Sequence, residues 1–197
     1  MKARDYAAAA ALFLALAVKA TSTAADIEIY FSPNGGAAAA IVKEIDAAKK
    51  SIHVLAYSIS EDRITRALAK ANTRGVAVIL IVDPGQQGQS YSTAPKIKQS
   101  GVRTLVDRAH ALMHNKTIIV DAATVITGSM NFTTSGDKQN AENTIVIRDI
   151  EAAKIYENDF QKHVAHATDF KQPPPLPTTK PAPTQKEPVT WQPLPAR

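Results

Sequence analysis

Residues 76–82 read VAVILIV, seven apolar side chains without a polar interruption. Successive residues of a strand face opposite sides, so a strand of this composition needs cover on both faces. An inner strand of a parallel sheet, with helices above and below, meets that condition; a sheet with one face in water does not. The neighbouring segments agree. DIEIYF (26–31) and SIHVLAYS (51–58) read as strands, and the breaker SPNGG after the first precedes a helix over Ala37–Ala48. A helix is predicted over Asp62–Asn72, stopped by Gly75, and a short helix over 94–100 leads to a strand over 102–106. KTIIVD (116–121) and TVIT (124–127) form two strands joined by a tight turn at Ala122 and Ala123; ENTIVIRD (142–149) adds another, and Ile150–Ala165 closes the pattern as a helix. Strand and helix in alternation predict an α/β fold, one mixed β-sheet sandwiched between helices in a single domain.

The segments at either end do not fit that core. Residues 1–25 begin with a basic stretch, continue through an apolar run from Ala7 to Val18 and end in small residues. The run is too short to span a bilayer and fits a secretory signal peptide, so the expected location is periplasmic or secreted, without stable membrane insertion once the signal is cleaved. Residues 171–197 hold nine of the twelve prolines. Proline fixes φ and removes a backbone donor, which predicts a disordered, polyproline-like tail. Docking of Trp191 and the Pro-Leu-Pro repeats into an aromatic groove of a protein partner is the alternative for this segment. The globular domain is therefore expected over 26–170.

The formal net charge of +5 is informative by where it sits. Residues 1–25 carry +2 and residues 171–197 carry +3, which leaves 26–170 neutral. Affinity for a polyanion would thus need a local patch. With no cysteine, disulfides, thiolate zinc sites and cysteine nucleophiles are excluded. Chemistry must rest on His, Lys, carboxylates or hydroxyls.

One stretch gathers such groups, HNKTIIVDAATVITGSMN (114–131). His114 and Lys116 stand two apart at the entrance of a strand and so project to one side. Ser129 and Asn131 stand two apart beyond Gly128, whose missing side chain allows a tight turn. Adjacent strands lie about 5 Å apart, so the four polar tips can converge on one small volume. A phosphate fits that inventory: an ammonium, an amide and a hydroxyl for its oxygens, and an imidazole that can be a nucleophile when neutral or an acid when protonated. It cannot be both at once. Cleaving a phosphodiester through a covalent intermediate needs one group on each side of phosphorus, so a chain with a single copy of the pattern is expected either to use a different acid or to share its site with a second copy across a two-fold axis, the favoured reading. Lys116 beside His114 disfavours a metal site, and neither metal nor cofactor is expected in the chemistry.

The pattern His114-x-Lys116-x4-Asp121-x6-Gly128-Ser129-x-Asn131 resembles the signature of the phospholipase D superfamily. The region from Asp26 to Ala167, with YFSPNGG near its start and AENTIVIRD after the motif, is similar to the small bacterial Nuc-type endonucleases, which carry one motif per chain. The resemblance implies that His114 is the nucleophile in one subunit of a homodimer, forming a phosphohistidine, and the acid in the other. It implies that Lys116 and Asn131 bind the phosphoryl oxygens with help from Ser129, and that Glu142 orients the imidazole. Asp121 lies about 16 Å along its strand from Lys116 at ~3.3 Å per residue, so its role is expected to be structural despite its place in the signature.

The other histidines have plainer expectations. His53, inside an apolar strand, reads as a satisfied core residue; His163 and His166 on the last helix read as surface residues; His110 is left between lining the site and lining a loop. GQQGQSYS (85–92) reads as a flexible loop near the sheet edge. Three functions follow. The first is a nonspecific, metal-independent endonuclease that binds nucleic acid through its phosphate backbone. A phospholipid phosphodiesterase using the same groups comes second, and a non-enzymatic adaptor acting through the Pro-rich tail third.

Overall fold

The computed structural model describes residues 25–171; residues 1–24 and 172–197, which hold the expected signal and tail, lie outside it. The chain runs through β1 (Asp26–Ser32), α1 (Ala37–Ala47), β2 (Ser51–Ala56), α2 (Asp62–Thr73) and β3 (Ala77–Val82). It continues through α3 (Ala94–Gln99), β4 (Arg103–Val106), β5 (Lys116–Val120), β6 (Thr124–Gly128), α4 (Thr134–Lys138), β7 (Glu142–Arg148), α5 (Ile150–His166) and β8 (Thr168–Asp169). All eight strands join one sheet in the order β1-β7-β6-β5-β2-β3-β4-β8. Only β2 with β3 and β3 with β4 are parallel; every other pair is antiparallel.

Strand β3, the core of the VAVILIV segment, lies between β2 and β4 and is apolar on both sides because it is covered on both sides. Val78, Leu80 and Val82 point into a core shared with Ile41 and Ile45 of α1 and with Ile64 and Leu68 of α2. Ile81 points the other way, into a second core with Leu55, Leu105, Ile119, Val125 and Phe160 of α5. Fully burying one such side chain stabilises by about 1.5–3 kcal/mol, so the two cores rather than helix propensity hold the layers on the sheet.

Long-range polar contacts fix how the helices meet the strands. Asp137 of α4 caps α1, accepting from the Ala38 N–H at 3.0 Å, and binds Arg63 of α2 at 2.7 Å. Burial would raise the Asp137 carboxyl, but these donors together with Lys138 hold it below its usual range. Arg148 of β7 reaches Asp26 and Glu28 of β1 at 2.9 and 2.8 Å and Glu44 of α1 at 2.5 Å.

The structure departs from the expectations in three places. The segment 85–92 is not simply a loop: Pro84–Gln87 forms a 3-10 turn, and buried Gln86 accepts the Ile59 N–H. The turn between β5 and β6 is carried by Asp121 and Ala122, at φ 54° and 52°. Two consecutive left-handed residues of this kind make a hairpin turn whose twist matches its strands. Finally, His163 is not a surface residue. It is buried, with its ring turned inward against Asp107, and His166 turns toward the same carboxylate. A helix ending against the sheet hides the face that a two-residue reading of its polarity would give to solvent.

Candidate active site

Two arms of chain meet at the end of the sheet where β5 begins and β6 ends. The first carries His114 and Lys116. Met113 is buried and donates its N–H to Asp83 Oδ2 at 3.1 Å, and the Asn115 carbonyl accepts the Tyr57 N–H at 2.9 Å. His114, exposed between these two anchored residues, has little freedom of backbone. The second arm carries Ser129 and Asn131. Met130 and Phe132, both 2% exposed, plug into the core on either side of Asn131. The Ser129 and Met130 N–H groups share the Asn143 carbonyl, while Phe132 pairs with the 58–61 segment through Ser58, Ser60 and Glu61. Alternation does the rest, leaving Ser129 and Asn131 opposite to the plugs. Gly128 is required for this path: its φ is 148°, and a Cβ there would stand 2.2 Å from the Asn143 carbonyl oxygen.

Lys116 Nζ lies 2.9 Å from His114 Nδ1, 3.1 Å from Nε2 and 2.7 Å from the His114 carbonyl oxygen. The residue is only 7% exposed. Burial pushes its ammonium below the usual lysine range, and the charge of Glu142 opposes the shift. Tyr57, which sequence reading did not single out, packs its ring 4.4 Å from that of His114 and 5.0 Å under Lys116 Nζ. It stands at the end of β2, and only the pairing of β2 with β5 brings it here. Finding it in the sequence required knowing the strand order.

Ser129 Oγ donates to Glu142 Oε2 at 2.6 Å and accepts from the Asn143 N–H at 3.0 Å. Asn140 Nδ2 donates to the other Glu142 oxygen at 3.0 Å. Glu142 therefore contacts Ser129 and Asn140 in the single chain, and makes no hydrogen bond to His114. The Asn131 side chain makes no hydrogen bond to the described residues, and its oxygen is buried without a partner. That oxygen is an acceptor closed off from solvent, so only the Nδ2 donors of this amide suit an oxyanion, and Asn131, expected to converge with the other three groups, is not among the residues that line the pocket between the arms. A pocket of 380 Å³ opens between the arms, lined by His114, Lys116, Thr117, Thr127, Ser129 and by Tyr156 of α5. Its ammonium and imidazole can hold an oxyanion next to a nucleophilic ring, while the one Ser129 proton is committed to Glu142.

Asp121 sits at the other end of the hairpin. Its Oδ1 accepts from the N–H groups of Lys50 and Ser51 at 2.7 and 2.9 Å, and Oδ2 from that of Lys49 at 2.8 Å. Burial would raise this carboxyl, but the three backbone donors, Ser51 first, hold it below the usual range. His53 Nδ1 donates to Glu157 Oε2 at 2.8 Å and its ring stacks on Phe160 at 4.4 Å, a histidine packed against the core with that nitrogen paired.

Comparisons with known proteins point to one family. The family model described as cardiolipin synthase, phospholipase D-like domain, matches residues 41–164. A protein of Rickettsia typhi named phospholipase D is 36% identical over 146 residues, 74% of this chain and 72% of the relative. One of the same name from Rickettsia bellii is 41% identical over 126 residues, 64% of this chain and 63% of the relative. Among solved structures, the phospholipase D family member Nuc from Salmonella typhimurium superposes with a TM-score of 0.71 at 33% identity, over 75% of this chain and 99% of that one.

Proposed function

The chain belongs to the phospholipase D-like family, and from that premise we propose that it is a metal-independent phosphodiesterase that cuts DNA or RNA without sequence preference, in a site shared by two copies. The observation that carries the reading is the contact of Lys116 Nζ with the His114 ring at the mouth of a pocket that also offers Ser129. A ring nitrogen of His114 attacks phosphorus and forms a P–N bond as the P–O bond to one alcohol breaks. The departing oxygen takes a proton from His114 of the partner subunit. Water then attacks the phosphohistidine, gives its proton back to that second imidazole, and frees the phosphate monoester. Lys116 and Asn131 hold the non-bridging oxygens while charge gathers on them. Glu142 fixes the Ser129 hydroxyl and, with substrate present, orients the imidazole.

The uncovered sheet edge supports the shared site. Ile27, Ile29 and Phe31 are 53%, 56% and 66% exposed, and they alternate along β1 on the same face as Thr127 and Ile145. A row of large apolar groups there, next to the pocket, fits a two-fold contact with a second copy. Action in the periplasm or outside the cell belongs to the same proposal and rests on the sequence of residues 1–25.

The test uses plasmid DNA with excess EDTA, with labelled substrate quenched mid-reaction. Cleavage and label on His114 are expected, from a species that sediments as a dimer; dependence on added magnesium, an unlabelled protein or an active monomer would refute the mechanism. The Rickettsia relatives' name and the exposed Leu112, two residues before His114, favour phospholipid phosphodiesters as the second reading. Parallel assays on plasmid and on phosphatidylcholine vesicles separate the two.

A further inference from the structure

Away from this pocket, a second group of side chains converges where β4, β8 and the last turn of α5 meet. Asp107, wholly buried, follows β4; His110 lies three residues on; His163 and His166 share one face of α5. Asp107 Oδ2 stands 2.9 Å from His110 Nδ1, 2.6 Å from His163 Nδ1 and 3.0 Å from His166 Nε2. Oδ1 is already engaged by the Ala109 N–H at 2.9 Å. A carboxylate oxygen offers two lone pairs, so three imidazoles on one oxygen are more than hydrogen bonding alone calls for.

We propose that Asp107, His110, His163 and His166 form a binding site for a divalent transition-metal ion, zinc by preference. The four candidate ligand atoms lie within 4.8 Å of one another. Around tetrahedral zinc, with bonds of about 2.0–2.1 Å, ligand atoms stand roughly 3.3 Å apart and imidazole centroids roughly 5.2 Å apart. The three ring centroids here are separated by 5.0, 5.3 and 5.6 Å, and none of the rings is stacked on another. The rings therefore already have the spacing of a metal site, and a small outward shift of the carboxylate admits the ion. Asp159 Oδ2 lies 3.6 Å from His163 Nε2, the nitrogen facing away from Asp107. At 3.6 Å this is an ion-pair contact rather than a hydrogen bond, on the nitrogen where such sites usually carry an outer carboxylate. Imidazole and carboxylate suit zinc, with cobalt, nickel and copper as competitors, and do not suit magnesium or calcium.

Four protein ligands close the coordination sphere, which makes the ion a structural tie rather than a source of activated water. It joins the end of β4 to α5 and pins the start of the 107–115 loop, whose end carries His114. β8 already holds these parts in register, through Val106 with Thr168 and Leu105 with Asp169. The site stands apart from the phosphodiesterase pocket and from any reading of it.

The test measures metal in the full, untagged chain grown with zinc and dialysed extensively. About one zinc per chain is expected, removed by EDTA and restored by zinc chloride. The His110→Ala/His166→Ala double variant changes the two more exposed rings and is expected to retain no zinc, with an affinity lowered by more than about 100-fold, since losing even an outer-sphere partner costs about 10–100-fold. His114→Ala is expected to retain zinc in full. In EDTA the double variant and the wild type should melt together, and added zinc should raise only the wild-type Tm. Should the variant fail to fold, the cobalt(II)-loaded wild type decides, with intense tetrahedral visible bands expected. A wild type that keeps no zinc and gains no Tm from it, a double variant that binds as well as the wild type, or a weak octahedral cobalt spectrum would overturn the proposal.

Discussion

Replacing Asp121 separates membership in the family signature from participation in chemistry. Its carboxylate accepts three backbone N–H groups of the turn between α1 and β2, at 2.7, 2.8 and 2.9 Å, from the end of the hairpin remote from His114. Hydrogen bonds to a charged group contribute about 1.5–3 kcal/mol each when buried. Lys49 and Lys50 lie at exposed positions, so about 1 kcal/mol per bond is the better figure, or about 3 kcal/mol for Asp121→Ala. In a domain of this size that lowers Tm by about 6–12 °C. Asp121→Asn keeps one acceptor oxygen but sets an NH₂ against a backbone donor, and should lose about half as much. Urea unfolding and kcat/KM at 25 °C are measured on the same preparations, with kcat/KM expected to stay within about twofold because no reacting group has moved. The pH dependence follows from the lowered carboxyl. Its stabilisation is complete above the unfolded aspartate pKa of about 3.9 and is lost as pH falls through the lower folded value. The wild-type advantage over Asp121→Asn should therefore shrink below about pH 4. A folded Asp121→Ala that loses more than tenfold in kcat/KM, or a Tm shift under 2 °C, would refute the structural assignment.

Removing His114 as His114→Ala should lower cleavage by at least about 10⁴-fold without moving Tm, since the residue is exposed and donates no core contact; melting and initial rates check both halves. Burial lowers the Lys116 ammonium, so the alkaline limb of a kcat/KM profile should fall at a pH below the 10.5 of an ordinary lysine, where the positive charge is lost, and Lys116→Arg should move that limb upward. Ala122→Gly should stabilise by about 0.5–1 kcal/mol in urea unfolding, because Asp-Gly suits a turn with two positive φ values better than Asp-Ala.

Much of the fold could be read from the chain because its strongest signals are local. VAVILIV announces two-sided burial, and Met130 and Phe132 flank Asn131 with the period of a strand, so the His114, Lys116 and Ser129 groups gather where spacing alone would put them. Strand order is another matter. Nothing in SIHVLAYS says that β2 lies beside β5, yet that pairing brings Tyr57 against His114. The two-residue β8 and the short α4 have too few residues to show a period at all.

The histidine cluster carries the same point one step further. His163 and His166 stand three apart, a spacing that places them on one helix face without saying what that face meets. Asp107 comes from the end of another strand, more than fifty residues earlier, and β8 closes the arrangement by pairing with β4. A nucleophile and its anion clamp can be contiguous in sequence because one hairpin builds them, whereas a site assembled from a strand end, a loop and a helix terminus leaves only isolated letters. That difference explains why the motif around His114 was legible and the cluster around Asp107 was not. It also makes the cluster more sensitive to tertiary structure: any change that detaches the end of α5 from β4 should separate these four residues while leaving the hairpin and its pocket in place.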